Sequence, residues 1–307
     1  MRAQAQLRGT LAAALTPLGA GGEKLDEAGI AAVVGFLRAA GLDGLLAFGT
    51  TGEGMLLDPG ERRRGLELFV AAAGPGFPIV AQCGAQTTAQ TVDLAAHAAA
   101  AGAAAVAVIS PPYFALSEEE IEAHLLAAGQ ACAPLDYYVY EFEDRSGYRV
   151  PPPLLDRLRS RLPNLRGLKV SDAPWERFEP YLLDGLDVFV GPEALISQGL
   201  ARGAVGAVSA LASALPELVL HAVRSRAPEA SAACAEVRRE IARFPFHSAL
   251  KSCLAGRGVA IRPEVRRPLQ TLSGAEQEAF AAVAARAVAA AESCSSSGRA
   301  GPGSSAA

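Results

Sequence analysis

The sequence predicts an α/β protein: a closed (β/α)8 or TIM barrel followed by a C-terminal helical extension. Short apolar runs alternate with segments of helical periodicity along most of the chain. Eight such strand–helix units fit into roughly the first 225 residues, and eight is the number that closes this barrel. No G-x-G-x-x-G turn follows the first apolar run, although a doubly wound nucleotide-binding sheet, the alternative fold, would place one there.

The predicted strands are apolar along their whole length, which is typical of a parallel sheet covered by helices. In order they read GTLAAAL, GLLAFG, PIVAQC, AAVAVIS, DYYVYEF, LRGLKVS, LDVFVG and GAVGAVSA.

Helices are predicted after each strand, and two have clear start signals. Asp58 precedes Pro59, and Ser117 precedes three glutamates, so each supplies a cap followed by residues that suit a first turn. The predicted barrel helices cover 26–40, 59–73, 87–101, 117–131, 153–161, a short segment near Trp175, 193–201 and 215–226. Three more follow at 228–244, 247–256 and 273–292.

These segments divide the chain into three expected parts. Residues 1–226 form the barrel with the active site, and residues 227–292 form the C-terminal helical region. Residues 293–307 are rich in Ser and Gly and carry no core, so we expect this tail to be disordered.

Composition narrows the class of function. The chain has 307 residues, a net charge of −4 and a pI near 5.7 without a basic stripe, so we expect no nucleic-acid partner. No apolar stretch approaches the ~20 residues that span a bilayer, so we expect no membrane partner and a cytoplasmic location. The five cysteines are scattered without a C-x-x-C pair, which favours reduced thiols over disulfides or a zinc ribbon.

The stretch NLRGLKVSD places a lysine, Lys169, inside the sixth predicted strand, near its carboxyl end. Burying an ammonium costs free energy unless it finds a partner or loses its proton. A lysine that reaches solvent at the strand end, or a core ion pair, is one explanation. The other is a neutral amine, which is the nucleophile that Schiff-base chemistry with a carbonyl requires.

Three further stretches fall where predicted strands end, the catalytic rim of such a barrel. The turn FGTTGEG offers Thr50, Thr51 and exposed backbone N–H groups, which suit a carboxylate, although an ordinary strand-to-helix turn is the alternative. YVYEFEDRSG carries Tyr140 and Arg145, and ISPPYF carries Tyr113. A phenol there can transfer protons, and an arginine can bind a carboxylate, although each alone is more often a core aromatic or a solvated cation.

Together, in this order and spacing, the four stretches resemble the dihydrodipicolinate synthase / N-acetylneuraminate lyase family of pyruvate-dependent class I aldolases. The resemblance covers about residues 9–290. It implies that Lys169 forms the imine with pyruvate and that Tyr140 shuttles protons. It further implies that Thr50 joins the relay and that Tyr113 completes it from across a dimer interface.

The same resemblance assigns the binding residues. Thr51 would hold the pyruvate carboxylate, and backbone groups near Gly191 and Val208 would line that end of the pocket. Arg145 resembles the arginine that synthases use for the carboxylate of aspartate semialdehyde. The chain departs from the family pattern at Glu141, where Asn is common, and at Val170, where Glu is common.

We therefore expect a lyase or synthase that joins pyruvate to an aldehyde or releases it, without a cofactor. Its activity would be like that of a 4-hydroxy-tetrahydrodipicolinate synthase or of a 2-keto-3-deoxy sugar acid aldolase. The resemblance also implies a homotetramer built as a dimer of dimers. The alternatives are a dehydratase of a keto-deoxy sugar acid and a keto-acid-binding protein without catalysis. A metal-dependent aldolase or hydrolase is disfavoured because the four histidines form no ligand-spaced pair.

Overall fold

Eight parallel strands close into a barrel, so the predicted fold class is confirmed. A computed structural model describes residues 6–297, with side chains to residue 294. The strands pair in sequence order, and β8 returns to pair with β1. They are β1 Gly9–Ala13, β2 Gly44–Ala47, β3 Ile79–Gln82, β4 Ala105–Ile109, β5 Asp136–Glu141, β6 Leu165–Val170, β7 Asp187–Val190 and β8 Gly206–Ser209.

The helices match the predicted segments closely, with one addition. They are α1 Glu27–Ala39, α2 Pro59–Ala73, α3 Thr88–Ala100, α4 Glu118–Ala131, α5 Glu143–Ser146, α6 Pro152–Arg161, α7 Trp175–Phe178, α8 Ile196–Ala201, α9 Pro216–Ser225, α10 Pro228–Ile241, α11 Phe246–Gly256 and α12 Gly274–Ser297. The one-turn helix α5 was not predicted, because four residues show no periodicity. Helix α10 ends three residues before the predicted Phe244, which precedes a proline and is therefore disfavoured in a helix.

The helix starts follow from the local sequence. The side chains of Asp58 and Ser117 each accept a hydrogen bond from the backbone N–H of the third residue of their helix, a glutamate, and the carboxylate of that glutamate accepts one from the backbone N–H of the cap residue. Both helices therefore begin with a complete capping box, which satisfies two backbone donors at each start.

Alternate strand residues point into the barrel, as the period of a strand requires. Tyr138 of β5, Phe189 of β7 and Val208 of β8 belong to this buried inner cluster. Tyr140 lies two residues beyond Tyr138 on the same face, and its register partner on β6 is Lys169. The barrel thus brings both side chains to the carboxyl-terminal mouth.

The C-terminal helices pack against the barrel and reach the turn that follows β2. Lys251 of α11 donates to the Glu53 carboxylate at 2.6 Å, and both side chains are fully buried. Helix α12 reaches Ser297, the last described residue, inside the segment expected to form the tail. The rest of that expected tail, 298–307, lies outside the described residues.

Candidate active site

Lys169 lies in the barrel mouth with only 7% of its surface exposed. Its Nζ atom donates a hydrogen bond to Ser171 Oγ and lies 3.8 Å from the centroid of the Tyr140 ring. Among the described residues no carboxylate lies within ion-pair distance of this amine. A lysine in a strand is ordinarily explained by solvent exposure or by a core ion pair, and neither explanation applies to Lys169.

Tyr140 links the amine to the turn after β2. Its hydroxyl and Thr50 Oγ1 are 3.1 Å apart and share a hydrogen bond. Burial acts to raise the pKa of Tyr140, but the charge of Lys169 and hydrogen bonds from Lys169, Thr50 and Ser171 outweigh it and lower the pKa. A phenol with a lowered pKa beside an amine can exchange protons with groups attached to that amine.

The turn GTTGE is held in a specific backbone conformation. Phe48 and Glu53 both adopt positive φ angles, 60° and 58°, which are uncommon for non-glycine residues. The Glu53 carboxylate accepts hydrogen bonds from Lys251 Nζ and from the backbone N–H of Arg266, both at 2.6 Å. A buried carboxylate therefore fixes the turn, which holds Thr50 beside Tyr140 and buries Thr51 in the cavity wall.

Gly191 and Val208 line the same cavity, at the ends of β7 and β8. The backbone N–H of Gly191 donates to the Val170 carbonyl at 2.7 Å. A Cβ atom at Gly191 would lie 2.6 Å from that carbonyl oxygen, so only glycine fits without a backbone shift.

Arg145 is presented by α5, directly after β5. Its guanidinium carbon lies 5.3 Å from the centroid of the Phe142 ring, within cation–π distance. The side chain lines the same cavity as Lys169, which has a volume of about 510 Å³. The structure thus places the predicted second-substrate arginine at this site.

Two buried carboxyl groups anchor the segment that carries Arg145. Glu141 accepts from the Val150 N–H, and Asp172 accepts from the Glu143 N–H, both at 2.9 Å. Burial raises the pKa of Glu141 to about 8, and the charge of Asp172 acts in the same direction. The hydrogen bond from the Val150 N–H acts to lower this pKa but does not offset the burial. Burial also raises the pKa of Asp172. Glu141, where the chain departs from the family pattern, does not line the cavity. It follows Tyr140 in β5 and therefore lies on the opposite face of the strand, outside the barrel mouth.

Several residues of the cavity were not predicted. Ser171 could have been found, because it lies two residues after Lys169 and so shares its face. His247, whose Nε2 lies 3.0 Å from the Thr50 carbonyl oxygen, and Arg238 come from the C-terminal helical region. No motif marks these two positions, and only the folded chain brings them to the barrel.

Tyr113 is the one predicted site residue that does not reach this cavity. Its side chain is 88% exposed, its φ is 87°, and its ring contacts Phe114 with the centroids 5.0 Å apart. Within a single chain the structure therefore brings together Lys169, Tyr140, Thr50, Thr51, Arg145, Gly191 and Val208 without Tyr113.

Residues 6–297 contain neither a metal-binding cluster nor a membrane-spanning helix. In that span no three His, Cys, Asp or Glu side chains are grouped so as to hold a metal ion. None of its helices combines the length and the apolar character needed to cross a membrane.

The closed barrel holds a buried amine at its carboxyl-terminal mouth, the end at which enzymes of this fold class place their active sites. Comparison with known proteins then gives the family. The model of the dihydrodipicolinate synthetase family matches residues 6–287. The chain belongs to this family, and the predicted resemblance and the predicted enzyme class, a lyase of the class I aldolase type, are confirmed.

Individual relatives agree with this assignment. A 4-hydroxy-tetrahydrodipicolinate synthase of Hyphomonas neptunium is 33% identical over 85% of this chain and 92% of its own length. An uncharacterised DapA-like lyase of Chloroflexus aurantiacus is 32% identical over 91% and 96%. The structure of Proteus mirabilis N-acetylneuraminate lyase, 26% identical, superposes with a TM-score of 0.84 over 92% of this chain and 99% of that one.

Proposed function

We propose that this protein is a Schiff-base lyase or synthase that joins pyruvate to an aldehyde, or releases pyruvate by the reverse cleavage. The observation that carries the proposal is the buried Lys169 amine, which lacks a carboxylate partner among the described residues and lies against Tyr140. The names of the relatives, synthases and lyases alike, support the same reaction class.

In the proposed mechanism the neutral amine of Lys169 attacks the keto carbon of pyruvate. Tyr140 delivers a proton to the carbinolamine hydroxyl, which leaves as water and produces a protonated imine. Loss of a methyl proton gives an enamine, whose carbon attacks the aldehyde carbon while the aldehyde oxygen takes up a proton. Water then hydrolyses the new imine, which frees the product and the amine.

The remaining site residues bind and orient the substrates. Thr51 and backbone groups near Gly191 and Val208 hold the pyruvate carboxylate, as the family resemblance implies. Thr50 supports the proton path, because its hydroxyl shares a hydrogen bond with Tyr140. Arg145 binds the second substrate from the α5 side of the cavity.

We further propose a homodimer in which Tyr113 of one copy completes the site of the other, with two dimers forming a tetramer. Two observations support this. Tyr113 is 88% exposed and does not line the lysine cavity of its own chain. A second cavity of about 370 Å³, apolar in character, lies beside the Thr50–Tyr140 pair and has room for an aromatic side chain.

The five free thiols suit a cytoplasmic location.

Among the described contacts, none favours the dehydratase or the non-catalytic alternative. Borohydride reduction in the presence of pyruvate tests the proposal, because it converts a pyruvate imine into a stable adduct on the lysine. The chain contains only three lysines, Lys24, Lys169 and Lys251, so peptide mapping assigns the adduct directly.

We expect the adduct on Lys169 and its loss in Lys169→Ala. Lys24→Ala, a substitution at a solvent-exposed position, serves as the matched control and should retain the adduct. A folded protein that forms no adduct, or forms it elsewhere, would contradict the proposal.

A further inference from the structure

One wall of the active-site cavity comes from outside the barrel. Arg238 of α10 lines the same cavity as Lys169, although it belongs to the C-terminal helical region. Its guanidinium carbon lies 4.0 Å from the centroid of the Phe246 ring, and its side chain is 38% exposed. The guanidinium is therefore held by stacking while its edge stays open to the cavity.

Arg238 has spare hydrogen-bonding capacity. A guanidinium offers five N–H donors, and the only hydrogen-bond acceptor that Arg238 meets among the described residues is Glu193 Oε1, at 3.5 Å. That oxygen already accepts from Ser209 Oγ at 2.7 Å and from the Leu211 N–H at 3.4 Å. Glu193 is thus committed elsewhere, and its contact with Arg238 is long.

The charges that line the cavity also favour binding of an anionic group. Its lining includes the cationic side chains of Lys169, Arg145 and Arg238 against one carboxylate, that of Glu193. A neutral Lys169 still leaves two permanent guanidiniums. The pyruvate carboxylate has its own binding groups near Thr51, so the arginines remain available for a second acid group.

We propose that Arg238 is a specificity-determining residue, which binds an anionic group at the end of the second substrate that lies away from its carbonyl. A guanidinium fork matches a carboxylate or a phosphate in geometry and charge. The inference rests on the proposed function and deepens it. It adds to the second-substrate site a guanidinium from outside the barrel, beside the Arg145 that the family resemblance already assigns there.

Binding of two product-like keto acids tests the inference without requiring turnover. 2-Oxoadipate and 2-oxohexanoate have the same six-carbon chain, but only the first carries a distal carboxylate. We expect the wild-type protein to bind 2-oxoadipate at least tenfold more tightly by calorimetry. The ratio of the two dissociation constants should fall at least tenfold in Arg238→Gln and partly recover in Arg238→Lys.

Arg239→Gln is the matched control, because it removes the same charge from the next residue of α10, which is exposed and does not line the cavity. It should leave the ratio unchanged. A wild-type protein without preference for the diacid, or an equal effect of both arginine substitutions, would overturn the inference. Comparing ratios within each variant cancels any general loss of folded protein.

Two further measurements complete the design. Glyceraldehyde and glyceraldehyde 3-phosphate form a second matched pair, used as acceptors for pyruvate. If Arg238→Gln changes the preference within this pair more than the preference for 2-oxoadipate over 2-oxohexanoate, the preferred anion is a phosphate. If it changes the keto-acid preference more, the preferred anion is a carboxylate. Borohydride trapping with pyruvate alone reports separately on the proposed function. An adduct on Lys169 without any diacid preference rejects only the role of Arg238, whereas the preference without an adduct rejects only the Schiff-base chemistry.

Discussion

The amine of Lys169 lies over the ring of Tyr140, 3.8 Å from its centroid, because the two residues are register partners on neighbouring strands. The same phenol reaches Thr50 across the barrel mouth. The proposed nucleophile and its proposed proton donor are therefore held together by the sheet itself, which fixes their separation more firmly than a loop would.

Removing the Tyr140 hydroxyl should slow the reaction without preventing folding. In Tyr140→Phe we expect kcat to fall by about 10²–10⁴-fold, the usual contribution of a positioned acid or base. The pyruvate adduct should still form on Lys169, but more slowly, in a borohydride time course. Tyr148→Phe is the control, because that hydroxyl donates to the Pro111 carbonyl at 2.6 Å and lies outside the lysine cavity. Equal rates for the two variants would contradict the role of Tyr140.

Mixed oligomers test whether Tyr113 acts in a neighbouring copy. Lys169→Ala alone should be inactive, and Tyr113→Phe alone should be strongly impaired. When the two variants are unfolded together and reassembled, one site of each mixed dimer combines an intact lysine with an intact tyrosine. Activity should therefore rise above the sum of the separate variants. No increase, with mixed dimers verified by native mass spectrometry, would place Tyr113 outside the reaction.

Breaking the buried pair of Glu53 and Lys251 should destabilise the protein strongly. Glu53→Gln or Lys251→Met leaves one charge buried without its partner, and we expect each to lower the free energy of unfolding by about 3–5 kcal/mol. The double variant removes both charges and should cost less than the sum of the single changes. Urea unfolding at fixed protein concentration measures this, and strictly additive losses would show that the two charges do not interact.

Glu141 should make stability depend on pH. Burial raises its pKa from an ordinary 4.5 to about 8, so the folded state binds a proton that the unfolded state releases between these values. The wild-type free energy of unfolding should therefore fall as pH rises from 4.5 to 8, by at most about 1.4 kcal/mol per pH unit for this group. Below 4.5 this penalty is absent, and above 8 it is constant.

Glu141→Gln tests that dependence, because the amide imitates the protonated carboxyl and can still accept from the Val150 N–H. Its stability relative to the wild type should increase across pH 4.5–8 and then level off. Denaturant unfolding at several pH values measures the difference. A difference that stays constant over this range would show that Glu141 does not titrate as proposed.

The sequence predicted the site incompletely, and the omissions share a cause. The motif residues Lys169, Tyr140 and Thr50 lie at strand ends, where a barrel places its active site whatever the details of packing. Arg238 and His247 lie on helices beyond the barrel, and no spacing rule relates them to those strand ends. Tyr113 has a role only through the family resemblance, and its side chain is exposed outside the lysine cavity of its own chain.

The sequence by itself predicted the barrel, because apolar runs and helical periodicity are local patterns, eight such units are the number that closes this barrel, and the glycine motif of a doubly wound sheet is missing. It also identified Lys169 as the central candidate residue, since an ammonium within an apolar strand needs a partner or must lose its proton. Only the tertiary structure decided what surrounds that lysine. Thr50 and Tyr140 are 90 residues apart, and Glu53 and Lys251 are 198 apart. Such contacts form because strands and C-terminal helices pack around one cavity, and that packing depends on the whole fold.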